Sequence, residues 1–175
     1  MIKTKVNNSI FEIIKGDITK QDTEAIVNAA NKRLAPGGGV AGAIHRAAGK
    51  KLWEECKKID GCQTGEAKIT KAYNLPAKYV IHTVGPIYSG SKKDKKDLIS
   101  CYKETIKLAE QKNIKTISFP AISTGAFGYP TEKAAKIAIE TIYKQLQNTE
   151  KIKLIRMVLY DKKSYETHKK TLDST

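Results

Sequence analysis

The sequence is poor in cysteine, and its few cysteines lack the spacing of a metal or disulfide framework. Cys56, Cys62 and Cys101 are the only cysteines in 175 residues, and no two of them form a CxxC pair. An odd number of separated thiols argues against a disulfide scaffold and against a structural zinc site. We therefore predict reduced thiols and no bound metal.

Long apolar runs are also missing. The N-terminus reads MIKTKVNNSIFEII, which lacks the continuous apolar segment of a secretory signal. No run approaches the roughly 18 apolar residues of a membrane-spanning helix. We therefore expect a soluble, cytoplasmic protein that does not associate with membranes, folded as one domain over residues 1–175 around one substantial core.

Acidic residues are scarce relative to basic ones. The chain has 32 Lys and Arg residues against 18 Asp and Glu, a formal net charge of +14. Such a surplus favours anionic ligands and makes nucleic acid an alternative partner. Because the lysines are dispersed and are not interleaved with aromatic residues, a solvated lysine-rich surface is the preferred interpretation over nucleic-acid binding.

The hydrophobic pattern alternates between strand and helix signals. A hairpin is predicted at 2–6 and 10–15, followed by a helical turn capped by Thr19. Further strands are expected over 25–30, 67–72, 79–84, 116–121 and 154–160. Helices are expected over 40–48, 51–59, 97–111, 131–147 and 164–172, with a polar loop at 89–96. This order predicts an α/β fold whose mixed sheet is covered on both faces.

The segment AIVNAANKRLAPGGGVAGAIHRAAG, residues 25–49, contains the first of two glycine-rich loops. Three consecutive glycines let the backbone approach a ligand closely, and the helix that follows offers free N–H groups and a positive dipole end. Asn28 and Asn31 come at the strand's exit, where open α/β sheets bind ligands. We therefore predict an anion-binding cradle in this segment.

The segment ISTGAFGYP, residues 122–130, stands in the same relation to its own strand and helix. Gly125 and Gly128 free the backbone, Ser123 and Thr124 add hydroxyl groups, and Phe127 is placed to lie against a sugar or close over a ligand. Neither loop is a Walker motif or a GxGxxG fingerprint. Two such loops at strand exits predict a clamp the size of a diphosphate.

Seven motifs together identify a family resemblance. They are GDIT at 16–19, IVNAAN at 26–31, GGGV at 37–40, GAIHRAAG at 42–49, TGEAKIT at 64–70, VIHTVGP at 80–86 and FPAISTGAFGYP at 119–130. The chain resembles macrodomains over nearly its whole length, most of all the MacroD-type and related bacterial branch. The resemblance implies a three-layer α/β/α sandwich with a central mixed sheet and an ADP-ribose-binding cleft. It also implies hydrolysis of mono-ADP-ribosyl esters on acidic protein side chains or of O-acetyl-ADP-ribose, without a cofactor.

The same resemblance implies roles for individual residues. Asp17 would accept a hydrogen bond from the adenine amine, which suits a carboxylate because it has only acceptors, with Ile18 beside it. Tyr160 would lie against adenine, although a core or interface aromatic is a competing interpretation. Asn31 would bind the distal ribose, while Asn28 would tie loop backbone together. The diphosphate and distal ribose would be held by Gly37, Gly38, Gly39, Val40, Ser123, Thr124, Gly125, Ala126 and Phe127.

One position departs from the family pattern. Many MacroD-type hydrolases carry an acidic residue directly after GGGV, and this chain has Ala41 there. A methyl group cannot accept a proton, and general-base help is typically worth ~10²- to 10⁴-fold. Viral macrodomains resemble this chain in having GGGVAGA, and members of that group hydrolyse ADP-ribosyl esters, with an ADP-ribose phosphate oxygen proposed to activate water. We expect a hydrolase of mono-ADP-ribosylated proteins, with an ADP-ribose reader of little turnover as the alternative.

The three histidines receive different predictions. His45 lies four residues after Ala41, so it is expected on the same helix face, toward the cleft, as a candidate catalytic residue beside Asn31. The competing interpretation is a histidine packed beneath the glycine loop and hydrogen-bonded to backbone. His82 is expected in the core, and His168 is expected on the surface.

Overall fold

A computed structural model describes residues 2–175. Its strands are β1 (Ile2–Val6), β2 (Ser9–Lys15), β3 (Ala25–Ala29), β4 (Ala67–Lys71), β5 (Tyr79–Thr83), β6 (Thr116–Phe119) and β7 (Leu154–Leu159). Its helices are α1 (Gly39–Ala48), α2 (Lys50–Ile59), α3 (Lys92–Gln111), α4 (Thr131–Leu146) and α5 (Lys162–Asp173), with a 3₁₀ turn at Ile18–Lys20. No helix within residues 2–175 is both long and apolar enough to cross a membrane.

The seven strands form one mixed sheet in the order β1-β2-β7-β6-β3-β5-β4. The five inner strands, β2, β7, β6, β3 and β5, are mutually parallel, while β1 and β4 run antiparallel at the two edges. Parallel strands present their carboxyl ends at the same edge of a sheet. The loops after all five inner strands therefore meet on one side of the molecule, where α/β sheets bind ligands.

The helices cover both faces of the sheet. Successive strand residues point to opposite faces, so Ile26 and Val80 pack with α1 and α2, whereas Val27 and Ile81 pack with α3, α4 and α5. All four of these side chains are fully buried. The arrangement confirms the three-layer α/β/α sandwich predicted from the sequence.

The start of α3 differs from the prediction. The segment 89–96, predicted as a loop, contains the first turn of the helix, because Ser91 and Asp94 form a reciprocal capping box. The Asp94 carboxylate also accepts hydrogen bonds from the backbone N–H groups of Ser89 (2.8 Å) and Gly90 (2.9 Å). These hydrogen bonds lower the pKa of Asp94, and the one from the Ser89 backbone has the largest effect. The Asp94 carboxylate thus accepts hydrogen bonds from the backbone that leads into α3, a signal that the surrounding lysines obscure in the sequence.

The first helical turn is capped by a different residue from the one predicted. Asp17, rather than Thr19, is the cap, and its Oδ1 accepts hydrogen bonds from the Thr19 backbone N–H (2.9 Å) and hydroxyl (2.7 Å). An aspartate oxygen at this position reaches the N–H two residues on without strain. The cap fixes the Asp17 side chain at the carboxyl end of β2.

Candidate functional site

A cleft lies at the edge of the sheet where the five parallel strands end. It consists of two adjoining pockets, which we name the Asp17 pocket (about 560 Å³) and the Asn31 pocket (about 300 Å³). Gly39, Val40, Ala121 and Gly125 line both pockets. The two therefore form one elongated site that narrows between the glycine-rich loops, and we call this shared region the waist.

The Asp17 pocket combines a fixed carboxylate with an exposed aromatic ring. Asp17 follows β2, and hydrogen bonding from the Thr19 hydroxyl is the largest cause that lowers its pKa, so the group is ionised at neutral pH. Its Oδ1 is occupied by Thr19, while its Oδ2 accepts no hydrogen bond from the residues the structure describes. Tyr160 follows β7 and is 80% exposed, and Ile18 lies beside Asp17. This end can accept a hydrogen bond and offer a flat apolar surface.

The Asn31 pocket begins with an asparagine that the loop itself holds in place. Asn31 Nδ2 donates to the Ala35 carbonyl (2.8 Å), and Asn31 Oδ1 accepts from the Ala35 N–H (2.9 Å). An asparagine amide has two N–H donors and two lone pairs, so one of each remains for a ligand. Gly37, Gly38 and Phe127 are among the other residues that line this pocket. Its polar groups suit a ligand with hydroxyl groups.

The waist presents backbone N–H groups from two directions. In α1 the N-cap is Gly38, which has no side-chain cap, and the first helical hydrogen bond is that of the Gly42 N–H. The N–H groups of residues 39–41 and of 124–127 therefore donate to no acceptor among residues 2–175. Free N–H groups at a helix N-terminus and in a glycine loop favour negative charge. The geometry provides an anion clamp at the centre of the cleft.

Two glycines allow the loops to approach their neighbours closely. A Cβ on Gly42 would clash with the carbonyl oxygen of Gly37, and a Cβ on Gly85 would clash with the Ser123 hydroxyl. Ser123 itself is buried and adopts a left-handed φ of 68°, which is uncommon for a residue other than glycine. Both loops are thus positioned by close backbone contacts.

The structure brings the predicted ligand-binding residues together in this cleft. Thirteen of them line one pocket or the other: Asp17, Ile18, Asn31, Gly37, Gly38, Gly39, Val40, Ser123, Thr124, Gly125, Ala126, Phe127 and Tyr160. They come from loops that are distant in sequence, so their convergence is a property of the fold.

His45 does not lie where the sequence predicted. It is 6% exposed, lines neither pocket, and packs edge-on against Trp53 with ring centroids 6.5 Å apart. Neither ring nitrogen has a hydrogen-bond partner among residues 2–175, so of the competing interpretation the packed histidine is found and the hydrogen bond to backbone is not. Burial lowers the pKa of His45 and favours the neutral ring. Ala41 lines the Asn31 pocket from the first turn of α1, whereas His45, one turn further on, does not.

The remaining polar core residues also need correction. Asn28 lies within β3, and its Nδ2 donates to His82 Nδ1 (3.1 Å), so it does not tie loop backbone as predicted. His82 hydrogen-bonds Thr70 Oγ1 (2.9 Å), and burial lowers its pKa to about 3, which confirms a core histidine. The surface prediction for His168 is wrong, because it is 1% exposed and its Nδ1 donates to the Ser164 carbonyl (2.8 Å) on the inner face of α5.

Several cleft residues were missed by the sequence analysis. Arg46 and Ala43 line the Asp17 pocket, and their spacing from Gly39 by seven and four residues places all three on one face of α1. That helical spacing was the signal that identifies Arg46. Gly85, after β5, lines the Asn31 pocket. Among residues 2–175, no three His, Cys, Asp or Glu side chains are grouped to hold a metal ion.

Comparisons with known proteins extend these observations. The family model described as "Macro domain" matches residues 27–138. A macro domain-containing protein of Methanosarcina mazei is 52% identical over 98% of this chain and 92% of its own length. The ADP-ribose glycohydrolase MACROD2 of Xenopus laevis is 48% identical over 97% of this chain, which spans 42% of that longer protein. A solved structure of a mutant Oceanobacillus iheyensis macrodomain with ADPR has a TM-score of 0.96 and 40% identity, covering 99% of this chain and 97% of the other.

Proposed function

Because the chain belongs to the macro domain family, we propose that it binds ADP-ribose in the cleft and hydrolyses ADP-ribosyl esters. The substrates would be mono-ADP-ribosyl groups on acidic protein side chains, or O-acetyl-ADP-ribose. The observation that carries the proposal is the order of groups along the cleft. An acceptor with an aromatic ring, a waist of free N–H groups and an amide-lined pocket match the adenosine, diphosphate and distal ribose of one ligand.

The Asp17 pocket is proposed to hold adenine. The free Oδ2 of Asp17 is an acceptor for the exocyclic amine, and its ionised state makes this hydrogen bond charge-assisted. The exposed ring of Tyr160 offers a face for stacking, which is typically worth about 1–3 kcal/mol per base. The frog MACROD2 protein and the structure with ADPR support a ligand of this class.

The waist is proposed to hold the diphosphate. Its N–H groups and the dipole of α1 stabilise negative charge without a metal ion. A protein net charge of +14 adds a field that attracts an anionic ligand. Affinity for the ligand would accordingly fall as salt is raised.

The Asn31 pocket is proposed to hold the distal ribose and the scissile ester. The remaining N–H and lone pair of Asn31 would bind ribose hydroxyls. In the reaction, water cleaves the ester bond between the distal ribose and the protein. ADP-ribose is released with a free hydroxyl, and the protein side chain is left as a carboxylate. Holding the sugar and water together supplies positioning, which needs no acidic side chain. A ligand phosphate oxygen at the waist is the proposed acceptor of the proton that water loses, in place of a side chain at position 41. His45 takes no part in this step.

Ala41 supports a second candidate function, an ADP-ribose reader. It lines the Asn31 pocket with a methyl group, so no protein carboxylate reaches the reacting bond from this position. The test is to incubate the protein with a glutamate-ADP-ribosylated target and follow free ADP-ribose over time. Release above the spontaneous rate supports the hydrolase, and release at the spontaneous rate supports the reader.

A further inference from the structure

An exposed isoleucine lies in the loop that borders the Asn31 pocket. Ile87 is 69% exposed, and among the large hydrophobic side chains in residues 2–175 only Tyr160 is more so. It comes two residues after Gly85, which lines the pocket. A single exposed isoleucine needs no explanation by itself. Its position beside the pocket proposed for the distal ribose makes it relevant to substrates.

The loop that carries Ile87 is held in a defined position. The Tyr88 N–H donates to the Phe127 carbonyl (2.8 Å), which joins this loop to the second glycine-rich loop. The Tyr88 ring packs against that of Tyr129, with centroids 4.8 Å apart. The Asp94 carboxylate then accepts from the backbone that follows. The residues that follow Ile87 are therefore anchored, while Ile87 itself is exposed to solvent.

Positive charge follows this apolar side chain along the chain, at the start of α3. Lys92, Lys95 and Lys96, in the first turns of α3, are exposed and form no ion pair with any residue between 2 and 175. The neighbouring Lys93 pairs with Asp97 (2.7 Å). Asp94, the acidic residue in this turn, is buried and forms the helix cap. Its negative charge therefore does not neutralise these lysines at the surface.

We propose that residues 85–96, which we name the Ile87 rim, dock the polypeptide that carries the ADP-ribosyl group. The proposal rests on the proposed function, because a distal ribose in the Asn31 pocket would bring the modified side chain close to the loop that begins at Gly85, which lines that pocket. The partner is an acidic segment with an apolar side chain that packs on Ile87 while its carboxylates face the three lysines. Modification on Asp or Glu makes such acidic segments the matching class, and an apolar centre with a charged edge is the usual plan of a protein interface.

The test compares two ligands by calorimetry. One is free ADP-ribose, and the other is an acidic peptide that carries ADP-ribose through a hydrolysis-resistant amide linkage. We expect the protein to bind the peptide about tenfold or more tightly than free ADP-ribose, with this advantage reduced at high salt. We expect Ile87→Ser, and separately the combined Lys92→Ser, Lys95→Ser and Lys96→Ser variant, to remove most of the advantage and leave free ADP-ribose affinity unchanged.

Matched controls separate docking from general surface effects. Ile10→Ser removes another exposed isoleucine, at the amino end of β2 and away from the cleft. Combined Lys103→Ser, Lys107→Ser and Lys112→Ser removes three exposed lysines from the second half of α3 and its C-cap. Both controls should keep the wild-type advantage for the peptide.

Three outcomes would overturn the proposal. Equal affinity of the rim variants and wild type for the peptide, with ADP-ribose binding intact, would reject docking and leave the proposed function standing. Failure of the wild type to bind free ADP-ribose would reject the function itself. Loss of single-stranded RNA binding in the triple-lysine rim variant, with peptide affinity unchanged, would assign the lysines to nucleic acid instead.

Discussion

Replacing Gly42 by alanine tests the packing that positions the first glycine-rich loop. Gly42 lies in α1, and an added Cβ would fall within 3.0 Å of the Gly37 carbonyl oxygen, a separation that Cβ atoms essentially never show. Helix propensity alone predicts the opposite effect, because Gly→Ala inside a helix is typically worth about 0.5–1 kcal/mol of stabilisation. The substitution therefore sets two effects of opposite sign against each other.

The structure indicates that the clash outweighs the propensity gain. The neighbour in question is backbone, so the loop carbonyl has to move by on the order of 1 Å, and in enzymes a misplacement of that size costs about 10²-fold in rate. Overpacking of this kind typically costs about 1–3 kcal/mol. We predict that Gly42→Ala weakens ADP-ribose binding about 10- to 100-fold and lowers Tm by about 2–4 °C.

The assay is calorimetric titration with ADP-ribose together with thermal unfolding. Gly125→Ala is the control for stability, because an added Cβ there meets no heavy atom within 4 Å and its φ is not in the left-handed region. Its Tm should equal that of the wild type. A Gly42→Ala protein that is more stable than the wild type and binds ADP-ribose equally well would refute the packing argument.

Three further predictions address the adenine end, the missing base and the core. Asp17→Asn should weaken ADP-ribose binding about tenfold at pH 7 in calorimetry because the free carboxylate acceptor is lost; unchanged affinity would remove Asp17 from the site. Ala41→Asp should raise kcat for ester hydrolysis about 10²-fold by supplying a general base in the Asn31 pocket, and an unchanged kcat would contradict the missing-base argument. His82 has its pKa lowered to about 3 by burial, so below its unfolded pKa of about 6.5 the unfolded chain binds the extra proton. The free energy of unfolding that the neutral His82 contributes is therefore complete above pH 6.5 and falls by up to about 1.4 kcal/mol per pH unit toward pH 3. Urea unfolding at pH 7, 6 and 5 should show that the stability of His82→Gln falls less steeply with pH than that of the wild type. Equal slopes would contradict this.

The sequence was sufficient to predict the layers and most of the cleft. Period-two alternation in the first hairpin and short apolar runs elsewhere placed every strand to within two residues at each end, and the two glycine-rich loops fell at strand exits as expected. The family motifs assigned residues as distant as Asp17, Asn31 and Tyr160 to one cleft, and the fold explains this because parallel strands end at one edge of the sheet.

Other features depend on information that the local sequence does not contain. The pairing of Asn28 with His82 follows from the register of β3 against β5, where the two residues lie opposite each other. The burial of His45 follows from how α1 packs near Trp53, since spacing from Ala41 gives the helix face but not its neighbour. Ser91 and Asp94 did carry a capping signal, which the surrounding lysines obscured.

Calorimetric titration with ADP-ribose, ADP and AMP tests the central claim most directly. If the Asp17 pocket holds adenine, the waist holds the diphosphate and the Asn31 pocket holds the distal ribose, affinity should rise at each step from AMP to ADP to ADP-ribose. We predict that ADP-ribose binds at least about tenfold more tightly than ADP, and that Asn31→Ala removes this difference while leaving ADP affinity unchanged. Equal affinity for ADP and ADP-ribose, or no binding of ADP-ribose, would contradict the account.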